Sequence, residues 1–352
     1  MINPLSYIDA LQIRDVSFKS VRNALKNHDL PVSTGWQQTV EKIAPELKKK
    51  DKKDACAASL VLIHNELTLY CDKVVKVYEV DSKILESLAH AMSKDFISKN
   101  NVYLKNFPFP LSIDELVKAP LDVLCVAQWD EKDRSNFMMC SKQYITEREE
   151  IPGDSLGDDA KKDFGVFDEL IGVRRKPIQL YDVVSILPDE GVIEIRLDGV
   201  KKFNSDDIGR RLRRIEQLVS QFAEKSIGAL NVLGSTLNFY PAIKKLYDAN
   251  DGVVGELGHV TDAAGIYREK MRHKSRDVRT DPYHHGGTIA VVDLNAYSIS
   301  KHWPSPTGNG EPEVSIPAHF SIASDKNPVV DVLHVLNCSC QEDYDFVLGK
   351  VL

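Results

Sequence analysis

The chain has 352 residues, 43% of them apolar and 28% charged, and a net charge of −7. That length exceeds one ordinary core and predicts two or three domains, while the acidic balance excludes a protein that coats nucleic acid or anionic lipid with its whole surface. No apolar run approaches the ~18 residues that span a bilayer, and the opening MINPLSYIDALQIRD lacks the basic and apolar regions of a signal peptide, so the expectation is a cytoplasmic protein with no membrane partner. Cys56, Cys71, Cys125, Cys140, Cys338 and Cys340 form no CxxC pair. Reduced thiols are expected, and Cys338-Ser339-Cys340 lacks the second pair that a zinc site needs.

The first 50 residues read as helical. Val16 to Asn27 carries Phe18, Val21 and Leu25 on one face, and Trp36 to about Leu47 turns Val40 and Ile43 inward. Leu30-Pro31-Val32-Ser33-Thr34-Gly35 joins them. Through Leu30, Pro31, Ser33, Val40 and Ile43, residues 17–44 resemble the SAP-type helix–loop–helix motif. Gly35 stands one position later than that motif's glycine, Trp36 or Gln37 replaces its usual lysine, and Thr39 replaces its leucine. The resemblance implies DNA binding through helix N-terminal amides and basic residues. The missing lysine removes one phosphate-binding cation, and a helical hairpin packed on its own domain is the competing reading.

Lys48 to Lys53 (KKKDKK) is a solvated charge run. Ala55 to Tyr70 predicts a buried helix, Val74 to Val80 a short strand, and Ser82 to Lys99 an amphipathic helix with Ile84, Leu88, Met92 and Phe96 inward. Phe107-Pro108-Phe109-Pro110 forbids helix and places a domain boundary near residue 110. A short helix over Ser112 to Lys118 follows, then strands over Asp122 to Trp129 and Asn136 to Thr146.

From Thr146 to Ile171 there are nine Asp or Glu against three Lys or Arg. Such a like-charge run, with Gly and Pro, predicts a mobile loop over Glu147 to Asp163. Asp154, Asp158 and Asp159 miss the EF-hand spacing. Arg174-Arg175-Lys176 follows and offers charges to pair with the acids.

The most legible stretch is Ile178 to Lys225. Val192 to Asp198 alternates, with Ile193, Ile195 and Leu197 on one face and Glu194, Arg196 and Asp198 on the other, the pattern of a half-buried antiparallel strand. Pro188-Asp189-Glu190-Gly191 supplies turn chemistry. Ser205 is placed at a helix N-cap, with Asp206 and Asp207 in the first turn. Ile208, Leu212, Ile215, Val219 and Phe222 form the apolar face, and Arg210, Arg213 and Arg214 lie largely opposite. Gly228 to Leu233 reads as a buried strand and Asn238 to Tyr247 as a short helix. Gly252 to Leu257 begins a β-rich end with strands over Thr288 to Ile299, Glu313 to Ser321 and Val329 to Asn337. Gln341 to Val351 closes the chain as a helix.

Three groups of residues bear chemistry. Residues 267–280 hold six cations, Arg268, Lys270, Arg272, Lys274, Arg276 and Arg279, against Glu269 and Asp277. Local positive charge in an acidic chain points to an anion, and Arg favours phosphate through its planar fork of donors. Tyr283, His284 and His285 beside it offer stacking or proton transfer. Second, Asp182 with Glu194-Ile195-Arg196 resembles the arrangement in restriction-type nucleases, where two carboxylates hold Mg²⁺ or Mn²⁺. Arg stands here for the usual Lys, and an exposed cross-strand pair gives the same pattern. Third, seven of ten histidines follow residue 250. Adjacent His284-His285 with Asp281 suits a metal site, but nothing resembles HExxH. Phosphate-loop, dinucleotide, hydrolase-elbow and kinase signatures are absent.

The sequence therefore predicts an α+β protein in three parts: helical 1–110 with the SAP-like hairpin, α+β 111–250 with the Arg-faced helix, and β-rich 251–352. The expected function is nucleic-acid binding without catalysis or cofactor, DNA favoured, through Arg210, Arg213, Arg214, Arg268, Lys270, Arg272, Arg276 and Arg279. One alternative is a metal-dependent nuclease or phosphodiesterase, with Mg²⁺ or Mn²⁺, using Asp182, Glu194, Arg196, His284 and His285. The other is a protein-interaction module whose basic patch meets an acidic partner.

Overall fold

A computed structural model of the chain describes residues 2–165, 168–262, 265–291 and 294–352. The order of elements is α1 (Ser6–Ile13), α2 (Phe18–Asn27), α3 (Trp36–Ile43), α4 (Lys53–Tyr70), β1 (Lys73–Glu79), α5 (Ser82–Asp95), α6 (Ile113–Lys118), β2 (Leu124–Asp130), β3 (Ser135–Pro152), α7 (Asp158–Phe164), β4 (Glu169–Leu187), β5 (Val192–Leu197), α8 (Ser205–Ile227), β6 (Ser235–Thr236), α9 (Tyr240–Asp248), β7 (Val253–Thr261), β8 (Ile266–Lys270), α10 (Pro282–Ala290), β9 (Leu294–His302), β10 (Glu313–Ile316), β11 (Leu333–Leu336) and α11 (Gln341–Leu348). The fold is α+β, with helices concentrated early and strands late. Among the described residues no helix is long and apolar enough to cross a membrane.

The strands form one antiparallel sheet in the order β2-β3-β4-β5-β1-β11-β10-β9-β7-β8, with β6 beside β1. β1, from the first predicted part, pairs with β5 on one side and β11 on the other. Strand pairing thus crosses both boundaries expected near residues 110 and 250.

Period-2 alternation sorts the central strands between two cores. Val184, Ile193, Ile195 and Leu197 pack with Leu85, Leu88 and Met92 of α5 and Leu212, Ile215 and Val219 of α8. On the other face Val75, Val77 and Val183 join Tyr70 of α4, Ile243 of α9 and Tyr344 of α11. A third core holds α1, α2, α3 and α4 together through Leu11, Val21, Leu25, Ile43 and Leu60. The helix–loop–helix over residues 17–44 is present, with Ile43 buried, and Trp36 packs on Phe18 at 5.1 Å between ring centroids.

Several local expectations need correction. Every residue of β5 is buried, so the strand is covered on both faces, not half-exposed. In α5 Leu85, not Ile84, joins Leu88 and Met92 inside. The N-cap of α8 is Asn204, whose side chain accepts from Asp207 N, one residue before the expected Ser205. Gly228 takes φ +68 and ends α8 in a left-handed cap, so 228–233 turns away and is no strand. The expected strand over Thr288 to Ile299 is instead the end of α10 and the start of β9; its residues Val292 and Asp293 lie outside the described residues.

The largest correction concerns Glu147 to Asp163. β3 and β4 pair without interruption from Ser135↔Ile186 to Pro152↔Glu169, and α7 sits at the tip. One of the acids that read as a loop, Glu147, is opposed across this ribbon by a cation, Arg174, while Glu149 and Glu150 face Gly172 and Ile171. Glu147 pairs with Arg174 at 2.8 Å and Lys176 at 2.9 Å, the pairing expected of that basic triplet. Opposite charges face each other there between strands.

Candidate functional site

The nuclease-like residues are structural. Val183 lies opposite Arg196 and Ser185 opposite Glu194, so Asp182 is out of phase with both. It points to the α8 side, where Arg211 reaches its Oδ1 and the Asp198 N–H donates to it at 2.8 Å. Burial pushes the Asp182 carboxyl up, against the pull of Arg211. Glu194 and Arg196 lie on the other face, bound to each other at 2.6 Å. Tyr344 donates to Glu194 at 3.0 Å, and the Arg196 guanidinium sits 4.9 Å from the Tyr70 ring and 4.4 Å from the Tyr344 ring. Two carboxylates on opposite faces of a sheet cannot share one ion, and the exposed cross-strand pair is equally absent.

The eight basic candidates divide. Arg279 is internal: it pairs with Asp277 at 2.7 Å and donates to the carbonyls of Tyr247, Ala249 and Gly252. Arg210 pairs with Asp207, and Arg214 reaches the Leu121 carbonyl at 3.5 Å. Arg268 and Lys270 share Glu256. Burial raises the Glu256 carboxyl, but the hydrogen bonds from Lys270 and Arg268 outweigh it and hold it down. Arg272 and Arg276 are exposed without an ion-pair partner among the described residues, as is Arg213.

Two of these basic segments, far apart in sequence, border the same cleft. Arg213 of α8 and Arg268 of β8 line one cleft of about 870 Å³, floored by β9 and β10. Phe203, Tyr297 and Phe320 bring aromatic rings to it. The cleft also holds acids: Lys76 is 3.2 Å from Glu216 and 2.9 Å from Asp331. Lys76 is held in its charged form by these partners despite its burial. The lone cation without a carboxylate neighbour on these walls, among the described residues, is Arg213.

The opposite face of the same β7–β8 ribbon carries a different group. His259 lies across from Tyr267, and Glu269, two residues on, shares their face. His284 arrives from α10, whose N-cap Asp281 accepts from Tyr283 N. Glu269 bridges the two imidazoles, 2.8 Å from His259 Nε2 and 2.9 Å from His284 Nδ1. Tyr247 Oη lies 2.9 Å from His284 Nε2. Both histidines are buried, whereas His285 is exposed. Adjacent helical residues diverge by about 100°, so His284 and His285 do not act together, and Asp281 is occupied as a cap. A cavity of about 500 Å³ opens beside the group, walled by Tyr267, Pro282, Tyr283 and Leu294.

No family model matches the chain, and no curated protein matches its sequence. Sequence reading singled out His284 but missed His259 and Glu269 as its neighbours. The signal was the hairpin: alternation over Ile266 to Lys270 puts Tyr267 and Glu269 on one side and Arg268 and Lys270 on the other. Only the register of β7 and β8 places His259 on the side of Glu269.

Proposed function

We propose that the protein binds a single-stranded nucleic-acid segment, DNA favoured, in the cleft between α8 and the β8–β10 end of the sheet. The observation that supports this reading is the convergence of Arg213 and Arg268, from separate basic segments, with aromatic rings on the same walls. Guanidinium groups hold phosphate and ring faces stack on bases without sequence preference. The carboxylates of Glu216, Glu256 and Asp331 equal Lys76, Arg213 and Arg268 in number, so the binding is weak and its electrostatic share small. With two phosphates neutralised on a single strand, the slope of log K against log salt is about −1.4.

The test is fluorescence anisotropy with a labelled oligodeoxythymidine over a salt series. Low-salt binding that falls with that shallow slope, and that Arg213→Ala weakens while Arg272→Ala does not, is expected. No binding at low salt, or binding indifferent to Arg213→Ala, removes the reading.

A further inference from the structure

We propose that His259, Glu269 and His284 form a three-ligand site for a divalent transition ion of the zinc class, with the fourth coordination position open to the neighbouring cavity. The inference is independent of the anion-binding cleft, which lies on the other side of β8.

The donor set comes first. Two imidazole nitrogens and a carboxylate suit borderline ions such as Zn²⁺, whereas Mg²⁺ and Ca²⁺ take oxygen ligands. His259 Nε2, His284 Nδ1 and a Glu269 carboxylate oxygen already lie within 4.8 Å of one another. Tetrahedral coordination at ordinary Zn–N and Zn–O lengths requires donors about 3.4 Å apart. Glu269 makes its contacts through different oxygens, Oε1 at 2.8 Å from His259 Nε2 and Oε2 at 2.9 Å from His284 Nδ1, so loading the ion widens these contacts by about half an ångström and brings both nitrogens onto one centre. Among the described residues β8 is the last strand in the sheet order, with β7 as its one neighbour, so Glu269 can make that movement without disturbing a second strand.

The surroundings position the ligands. His259 stacks on Tyr267, with ring centroids 5.2 Å apart and planes 16° apart, which fixes its orientation. With the ion absent, Glu269 accepts from His259 Nε2–H and His284 Nδ1–H, and the Tyr247 hydroxyl donates to His284 Nε2. With the ion bound, both donor nitrogens give it their lone pairs and each imidazole keeps one proton on its other nitrogen. His284 Nε2–H then donates to Tyr247 Oη, which serves equally well as acceptor. Such an outer partner is what metal-binding histidines ordinarily have. His259 Nδ1 is buried with no partner among the described residues. In the ion-bound form this nitrogen carries the proton, so its N–H still needs an acceptor, a place for a buried water.

Three protein ligands and an open fourth position is the arrangement of reactive, rather than closed structural, zinc sites. No Lys or Arg lines the cavity among the described residues. A molecule that reaches the ion there is therefore met by tyrosine and aliphatic surface, unsuited to a phosphodiester and suited to an uncharged group.

The experiment uses the full chain, freed of metal with chelator and titrated with Zn²⁺ and, separately, with Co²⁺ as a spectroscopic probe. One equivalent of either ion per chain is expected, with ligand-field absorption of low-coordinate Co²⁺. X-ray absorption of the Zn²⁺ complex should show two imidazoles in the coordination shell. Glu269→Gln and His259→Ala should each weaken Zn²⁺ binding by about 100-fold or more, and His285→Ala should leave it unchanged. Binding well below one equivalent, a shell without imidazole, or full affinity in folded Glu269→Gln protein overturns the proposal. The wild-type stoichiometry and spectrum decide the matter even where a variant does not fold.

Discussion

At the residue scale, the nuclease-like group of Asp182, Glu194 and Arg196 is consumed by burial. Glu194 and Arg196 are each at most 1% exposed and sit between two tyrosine rings. Such a pair costs much desolvation, so breaking it by half is worse than never having it. Glu194→Gln leaves the guanidinium without its countercharge and is expected to cost about 3–5 kcal/mol in urea denaturation. A catalytic role would instead abolish activity at unchanged stability, and that outcome would contradict a structural role for the pair. The buried imidazoles set the pH response. Burial, helped by Arg14, pushes His64 down to about 3, and burial alone pushes His334 down to about 4, from 6.5. In both cases the unfolded chain takes up the proton first as pH falls. Their contribution is therefore complete above pH 6.5 and is lost on acidification toward the folded values. Glu66 runs the other way. Burial and neighbouring carboxylates raise it to about 7 from 4.5, so it favours the folded state as pH drops through that window. Of these three groups, the two histidines outweigh the one glutamate, and their joint contribution falls from pH 6 to pH 4. His64→Gln should flatten that limb by about 1.4 kcal/mol per pH unit, read from denaturation midpoints across pH. An unchanged slope would show that His64 titrates normally.

At the element scale, the β3–β4 ribbon beyond Gln143 and Ile178 contributes no residue to the three cores among the described residues. It is held by its own ladder and by cross-strand pairs such as Glu147 with Arg174. Replacing residues 148–173 by an Asn-Gly turn should leave the melting temperature of the body unchanged within a few degrees. A large loss would mean the ribbon supports the sheet. The opposite holds for α8, whose face is buried along most of its 23 residues. Asn204→Ala removes the side chain that caps it and should cost about 1 kcal/mol, measured by denaturation at constant m-value.

At the scale of the whole molecule, β1 decides the architecture. It lies in the middle of the sheet, bonded to β5 along six residue pairs and to β11 along three. A fragment ending near residue 110 keeps β1 without either neighbour, and its buried Val75 and Val77 face water. The full chain is expected to unfold in one transition by circular dichroism and by tryptophan fluorescence. A 1–110 fragment is expected to lack cooperative unfolding; a sharp transition in it would restore a separate helical unit. The sequence suggested separate parts because Pro-rich and charged stretches mark where the chain leaves an element. They carry no information on which distant strand the next element will meet.

Local pattern by itself determined many elements, among them the helices α2, α4, α8, α9 and α11, the strands β1, β5 and β7, and the tight turn at Pro188 to Gly191, where Gly191 takes φ +69. These are local matters of side-chain spacing and turn chemistry, written within a few residues of one another. Tertiary structure alone decided which polar side chains keep company. Register put Asp182 and Glu194 on opposite faces, set Arg174 across from Glu147, and carried His259, Glu269 and His284 to one point from a strand, its hairpin partner and a later helix. Long-range pairing fixes those meetings, and no periodicity along the chain encodes it.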